Sequence, residues 1–530
     1  MTTLIPKFDL KNGGTTPTGA INRTIYQKLS DTISVKDFGA VGDGTTNDTV
    51  AIAAAIAATP TNGTLYFPAG VYRANIFIWC SNISLIGAGS ASTIIKLPDS
   101  CPSVTVPAEG GGTVTGLPNV LEIGNCALGN SSTLYTNVVV KGITLDGNYT
   151  NNTAPTSDVF GHGCIITNTS YCIFDDVISQ NCFVTCFDNV INSNYNNIQI
   201  TCINGGNATI SGGHYPNFDI NSSKYSYFNV VSVNGYYGGR MLDNCYGNTL
   251  NISVYNASLT GVVYNNQSVN SSYGNTITAN IISGCTGQGM SVGDNCYNST
   301  ITANVSKITG TGFYVAGSAS GTSPSGNKFF VNTYQCGTGS VYDNQYVQYN
   351  SYYINSKSDG FGSASGTYFA IDVSGNYNQF TASILGNPGT EVIRGFVFRA
   401  AANNNQILNL ITDPNLVQII NDLGTNNYIN FSAGVPPSVA SANFITIPYS
   451  GSLINITGTA GISGITDPAT NQGRTITLVF GSALTVGSYP SSSGNIKLSA
   501  ATAFSAAAGN TLTLISNGTY WLEISRSLTQ

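Results

Sequence analysis

Asp188, Asp219 and Asp243 are the residues of this chain best suited to acid–base chemistry. Only four glutamates occur, Glu109, Glu122, Glu391 and Glu523, and none has an evident partner in the sequence, so proton transfer falls mainly to aspartate. Each of the three aspartates sits in a short strand motif, VTCFDN, NFDINS or GRMLDN. Alternation along a strand places the second and fourth residues after each motif's leading residue on the outer face, which is where all three fall. With the motifs on consecutive rungs about 4.8 Å apart, and about 6.7 Å spanned by two residues, the diagonal pairs Asp188–Asp219 and Asp219–Asp243 stand about 8 Å apart. That lies in the roughly 6.5–9.5 Å window in which two carboxyls flank a glycosidic bond with room for a water. His214, Tyr215, Tyr236, Tyr237 and Arg240 fall in neighbouring segments and suit stacking on, and hydrogen bonding to, a sugar. This alignment points Arg240 inward, and a bulge after Gly238-Gly239 is needed to release it. A plainer reading of the same residues is strand-ending turns, because Asp188-Asn189 and Asp243-Asn244 share a column with Asn265-Asn266 and Asp343-Asn344.

Such placement requires a chain that coils with a fixed period. An Asn-led strand start recurs from GNTLNISV at residue 247 to NNYINFSA at residue 426. Its first apolar residues, Leu250, Ile277, Ile301, Phe329, Tyr352, Phe380, Ile407 and Ile429, are 22 to 28 residues apart. A Gly-led strand (GRMLDN, GVVYNN, GMSVGD, GFYVAG, GSVYDN, GFVFRA) recurs with the same period. Its third residue after the leader, in earlier copies as well, is apolar: Ile166, Phe187, Ile220, Leu242, Tyr264, Val292, Val315, Tyr342 and Phe398. Two strand columns sharing one period mean a solenoid with at least two sheets per turn, in which stacked asparagines bond to the rungs above and below. The expected fold is all-β, a parallel β-helix over residues 34–432.

Composition agrees. Charged residues make up 8% of the chain, against about 25% in ordinary soluble proteins, so the polar surface comes from Asn, Ser and Thr. A net charge of −6 without a basic run argues against nucleic acid as a partner. No apolar run approaches the roughly 20 residues needed to span a membrane, and no apolar leader follows Met1, so neither membrane insertion nor secretion is expected. The 12 cysteines form no CxxC pair and have no histidine at ligand spacing. They read as small buried thiols, and no metal or cofactor is expected. Trp79 and Trp521 read as core residues.

The solenoid needs an end. SVKDFGAVGDGTTNDTVAIAAAIAATPTNGTLYFPAGVYR opens on a glycine-rich turn and continues into a short helix. Asn47 is expected to cap that helix, Asp48 to face the positive end of its dipole, and Pro60 to follow its end. With almost no polar face, the helix should be covered on most sides, as a plug over an open β-structure. LYFPAGVY, residues 65–72, reads as strand, turn, strand. The segment resembles the entry motif of the pectate-lyase-like right-handed β-helix superfamily. FDLKNGGTTPTGAINRTIYQKL, residues 8–29, resembles the lead-in of bacteriophage tailspikes. The resemblance implies a homotrimeric virion protein, made in the host cytoplasm, that binds host surface polysaccharide (O-antigen or capsule), either as a depolymerase, a glycosidase rather than a lyase, or as a non-catalytic adhesin of the same fold; a cellular pectate-lyase-like enzyme is the remaining alternative. It also implies a phage tail or adaptor protein as partner, with residues 1–33 as a short attachment stem.

After Pro436-Pro437 the repeat stops, and short strands such as SLINITG, RTITLVF, TLTLIS and TYWLEIS predict a C-terminal antiparallel β-sandwich over residues 435–530. It resembles tailspike modules that trimerise or bind sugar. One further cluster deserves a place: Asp146, Asp158 and His162 share a long loop, and Asp175-Asp176 follow a rung later. Gly161-His162-Gly163 and the paired aspartates resemble elements of polygalacturonases, but in the reverse order. A satisfied turn histidine is the plainer reading.

Overall fold

The computed structural model describes residues 7–8, 21, 23–24, 27–28, 31–107, 113–124, 133–157, 159–206, 209–210, 213–266, 271–318, 322–357, 369–385, 394–412, 418–429, 437–447, 452–466, 468 and 471–528. The attachment stem expected at residues 1–33 lies largely outside them, as do Glu109, Cys126, Asp158, Glu391, Pro436 and the side chain of His214. The chain divides into two compact units, Met1–Phe330 and Val331–Gln530.

Unit 1 is a parallel β-helix, right-handed as crossovers between parallel strands are. One strand column, here the first sheet, runs through Ile173–Gln180, Asn197–Ile203, Tyr227–Val233, Thr249–Tyr255, Thr276–Ile281 and Thr300–Ile308. The second sheet runs through Leu121–Ile123, Cys164–Thr167, Phe187–Val190, Pro216–Asn221, Tyr237–Leu242, Thr260–Asn265, Gln288–Val292 and Thr311–Val315. Leu250, Ile277 and Ile301 pair in one column and are buried, as the period requires. Asparagines stitch the turns: the Oδ1 atoms of Asn196, Asn248 and Asn275 accept the backbone N–H of Cys172, Ser226 and Asn248 at 2.8, 2.9 and 3.0 Å.

In the second sheet the inward column is Ile166, Asn189, Ile220, Met241, Tyr264, Val292 and Val315. Leu242 therefore stands one place beyond its expected position, and Phe187 two places before, although both are buried. The glycines explain the slip. Gly238, not Gly239, stacks with Gly261 and Gly289, because Tyr237 pairs with Thr260 and Val262 with Met290. A Cβ on Gly238 would stand 2.5 Å from the Gly261 carbonyl oxygen and 2.4 Å from a Val254 methyl. Only glycine lets the strand pass so close to the first sheet.

The helix occupies Thr49–Ala58, with Asp48 rather than Asn47 as N-cap. The Asn47 side chain instead accepts the Thr49 N–H at 3.1 Å, and the Asp48 carboxylate turns away to accept those of Val41 and Gly42 at 2.7 and 3.2 Å. Ile52 and Ala55 are buried, but Val50 is 81% exposed, so the helix is covered on one face, not on most sides. Small alanines leave little apolar surface to hide elsewhere.

In unit 2, Ser351–Lys357, Gln379–Leu385 and Gln406–Thr412 pair in parallel, as do Gly339–Asp343, Phe369–Val373, Arg394–Phe398 and Gln418–Asp422. Tyr352, Phe380, Ile407 and Ile429 share a column. Tyr342 pairs with Asp372 and is half-buried, while its neighbours Val341 and Asp343 are buried, so it is not the inward residue expected. The C-terminal strands form a mixed sheet, not a purely antiparallel one. Ser438–Ala440, Leu453–Thr457 and Thr475–Phe480 pair in parallel, whereas Leu484–Val486 with Phe504–Ala506, Thr475–Phe480 with Thr511–Ser516, and Thr511–Ser516 with Trp521–Ser527 pair antiparallel. The reversal there is local: Asn517 Oδ1 accepts the N–H groups of Thr519 and Tyr520 at 3.0 and 2.8 Å, closing a tight turn. Trp521 is buried with Ile454, Ile476, Leu478 and Leu514. Trp79, by contrast, is 51% exposed, its Nε1 donating to the Gly124 carbonyl at 3.0 Å.

Candidate functional site

Register places the candidate residues. Between the two inward positions of each second-sheet strand lies one outward position, and successive strands stack it into a column: Glu122, Ile165, Asp188, Asp219, Arg240 and Val263. Asp188 and Asp219 are direct partners on adjacent strands, about 4.8 Å apart at the backbone. They are not the diagonal pair expected. Arg240 is outward by register alone, without a bulge, because the Gly238-Gly239 pair is shifted by one. Asp243 lies three residues beyond Arg240, past the strand end and in the left-handed region (φ 28°), with its carbonyl accepting the Ser222 N–H at 2.8 Å. The structure thus brings Asp188, Asp219 and Arg240 together and leaves Asp243 in a turn.

Outward residues of a bare sheet are wet, yet Asp188 and Asp219 are only 8% and 4% exposed. Arg240 Nε donates to both Asp219 oxygens at 3.1 and 3.2 Å, and Nη2 makes a further short bond to Oδ2. Burial opposes the charge on Arg240, but the Asp219 carboxylate outweighs it by attraction and hydrogen bonding, so the guanidinium is held firmly protonated. The Tyr215 ring lies 5.9 Å from the guanidinium carbon. Tyr236 and Tyr237 meet edge to face at 5.0 Å, and partial burial raises the Tyr237 phenol.

His162 completes the cluster. It is 1% exposed, and its Nδ1 lies 2.5 Å from Thr185 Oγ1 and 3.7 Å from Asp188 Oδ2. Its backbone N–H donates to Asn119 Oδ1 at 2.9 Å, and Asn119 Nδ2 donates to Glu122 Oε2 at 3.0 Å. Glu122 therefore has a partner, and its signal is the Asn119–Glu122 spacing, which sets the amide just before the strand Leu121–Ile123 that carries Glu122. Glu523 also has one, accepting from Arg526 Nε at 2.6 Å. The expected companions of His162 go elsewhere. Asp175 pairs with Lys141 at 2.6 Å, Asp176 accepts from Ser90, and Asp146 accepts from Asn148, Gln180 and Asn181. These bonds crosslink turns.

Among the described residues no three His, Cys, Asp or Glu side chains stand close enough to hold a metal ion, and no helix is long and apolar enough to cross a membrane. Cysteines 164, 172, 182, 186, 202, 245, 285, 296 and 336 are buried free thiols, but Cys80 is exposed and Cys101 half-buried. The arrangement combines a shielded carboxylate beside an imidazole (Asp188 and His162) with a fixed cation whose charge is balanced by Asp219. That set can move a proton at Asp188 and hold a polar or anionic group at Arg240.

Residues 32–341 match the protein family described as rhamnogalacturonase A/epimerase, pectate lyase-like. The mannuronan C5-epimerase AlgE2 of Azotobacter vinelandii is 46% identical over 76 residues, which is 12% of this chain and 8% of that enzyme. Alginate lyase 7 of the same organism is 47% identical over 76 residues, 12% of this chain and 9% of its own length. The chain thus matches under a tenth of either relative. Among solved structures, pre-mature bacteriophage phi29 gene product 12 is similar at a TM-score of 0.51 and 14% identity, covering 88% of this chain and 67% of that one. At that identity the likeness is one of fold.

Proposed function

The chain belongs to the rhamnogalacturonase A/epimerase, pectate lyase-like family, and we propose that it is a phage tailspike that recognises a host surface polysaccharide and cleaves it at the outer face of the second sheet. The observation that carries this reading is the in-register stack of Asp188, Asp219 and Arg240 with His162 beside Asp188. In it Asp188 transfers the proton to or from the glycan, and His162, held by Thr185, orients it. The Asp219–Arg240 pair binds the sugar, with Tyr215, Tyr236 and Tyr237 around it. Similarity in fold to a bacteriophage gene product supports a virion location. A short stem at residues 1–33, the β-helix at 34–432 and a terminal module at 435–530, assembled as a homotrimer on a tail or adaptor protein, complete the proposal.

Release of reducing ends from purified O-antigens, capsules and uronate polymers tests it. Asp188→Asn should lower turnover by about 100-fold or more. Asp219→Asn should weaken substrate binding, and Asp243→Asn should leave turnover near normal. Full activity in Asp188→Asn rejects the assignment. One observation favours a second reading, a non-catalytic adhesin: both oxygens of Asp219 are already engaged by Arg240. Saturable binding without any new reducing ends would establish that reading.

A further inference from the structure

Six consecutive rungs of unit 1 carry a tyrosine at the same corner, just ahead of the first sheet: Tyr171, Tyr195, Tyr225, Tyr246, Tyr273 and Tyr297. Tyr171 stacks on Tyr195 at 5.5 Å and 15°, Tyr195 on Tyr225 at 5.4 Å and 19°, and Tyr246 on Tyr273 at 5.0 Å and 4°. Tyr225 meets Tyr246 edge to face at 5.5 Å. The corner demands a left-handed residue, which glycine and asparagine adopt most easily. Tyr171, Tyr195 and Tyr225 adopt it themselves, at φ 59°, 55° and 52°. On the next three rungs the left-handed position passes to Gly247, Gly274 and Asn298, and the tyrosine moves one residue back. The backbone conformation therefore does not require the ring, since glycine or asparagine can serve, yet each rung keeps one. Burial does not require it either: Tyr171, Tyr195, Tyr225 and Tyr273 are 56, 48, 54 and 48% exposed. In unit 2, Tyr349 and Tyr377 repeat the device, left-handed, exposed and stacked at 5.0 Å.

We propose that this tyrosine rail is a second, non-catalytic glycan-binding strip, on which a linear polysaccharide lies along the solenoid axis. Five rung spacings make it about 24 Å long and one ring wide. A strip of half-exposed rings offers on the order of 400 Å², short of the roughly 800 Å² that each partner of a stable protein complex contributes. It suits a chain-like ligand whose sugar faces stack on rings while hydroxyls bond to the phenols. Lys224, whose Nζ lies 4.7 Å from the Tyr246 ring centroid, sets a cation on this corner and favours an anionic glycan. The ligand class rests on the polysaccharide reading above, but no residue of the Asp188–Arg240 site is used.

Affinity electrophoresis of the full chain through gels containing O-antigen, capsular polysaccharide, alginate or polygalacturonate tests the rail. The variant is Tyr195→Asn with Tyr225→Asn, because Asn298 already holds the same left-handed position. Wild type should be retarded by at least one polymer, and the double variant about tenfold more weakly or less, with an unchanged or higher melting temperature. Asp188→Asn should be retarded normally. Retardation that survives the tyrosine changes but is lost with Asp219→Asn overturns the rail and spares the Asp219 site. No retardation and no reducing ends on any polymer overturns both. A tyrosine variant that sediments as a smaller species than wild type shows instead that the corner is a contact between copies of the chain.

Discussion

Asp219 and Arg240 stand opposite each other on adjacent strands of one sheet, and the guanidinium engages both carboxylate oxygens. Their side chains are 5% and 18% exposed. Removing one partner of such a pair leaves a shielded charge without its counterion. Arg240→Met should therefore cost roughly 3–5 kcal/mol in denaturant unfolding, whereas the joint change with Asp219→Asn should recover most of the loss. An additive double variant would show that the pair contributes nothing to the fold.

A carboxyl inside the solenoid gives a pH test. Asp343 is fully buried in unit 2, where its Oδ1 accepts the Ser374 and Gly375 N–H groups at 2.8 and 2.9 Å. Burial raises its pKa from 3.8 to about 7, against those hydrogen bonds. Between these values the folded chain holds a proton that the unfolded chain has released, so stability falls as pH rises through that window and levels off above it. The full effect is roughly 4 kcal/mol. Asp343→Asn should flatten the dependence of the unfolding midpoint measured from about pH 4 to about pH 8.

The glycine column makes a steric prediction. A Cβ on Gly261 would lie 2.4 Å from the Gly289 carbonyl oxygen and 2.5 Å from an Ile281 side-chain carbon. Gly261→Ala should destabilise by about 1–3 kcal/mol or more. Thermal melts check this, and at the neighbouring Val262, a fully buried inward residue, alanine should bring only the cost of a cavity and no steric clash.

The asparagine ladder should be cooperative. Asn275 accepts the Asn248 N–H at 3.0 Å and donates to the Cys245 carbonyl at 2.7 Å and the Tyr264 hydroxyl at 2.9 Å. Asn275→Leu leaves the Asn248 N–H buried and unbonded, while the Cys245 carbonyl keeps the Tyr273 N–H at 3.1 Å and the Tyr264 hydroxyl keeps Ser299 Oγ at 3.1 Å, a loss of about 1–3 kcal/mol by chemical denaturation. Asn275→Asp, which keeps the acceptor but buries a charge, should be most damaging above the pKa of the introduced carboxyl.

What could be read in advance follows from what repetition records. Asn-led strand starts have one obvious alignment, and Leu250, Ile277 and Ile301 fell in the expected column. The Gly-led strands offered two choices wherever two glycines adjoin. Choosing Gly239 over Gly238 shifted a strand by one residue, which in a two-residue periodicity exchanges the faces. That single shift turns Arg240 inward and makes Asp243, rather than Arg240, the neighbour of Asp219. The sequence does not join His162 to Asp188, because setting Phe187 beside Ile166 carries Asp188 to Thr167, whereas in the structure Asp188 pairs with Ile165, two residues nearer His162. Residues 511–527 follow local turn chemistry at Asn517, which a sequence does show, whereas the parallel pairs before them depend on long-range stacking, which it does not.

The stitched asparagine corners have a consequence for diversification. Each rung is locked to its neighbours by bonds made at a few fixed points, so the connecting segments between those points are under little geometric obligation. Segments flanking the Asp188 column can lengthen, shorten or exchange sequence while the pegs that hold the coil stay put. A lineage could thus change the chemistry of that face by rewriting the trim, and never need to renegotiate the frame.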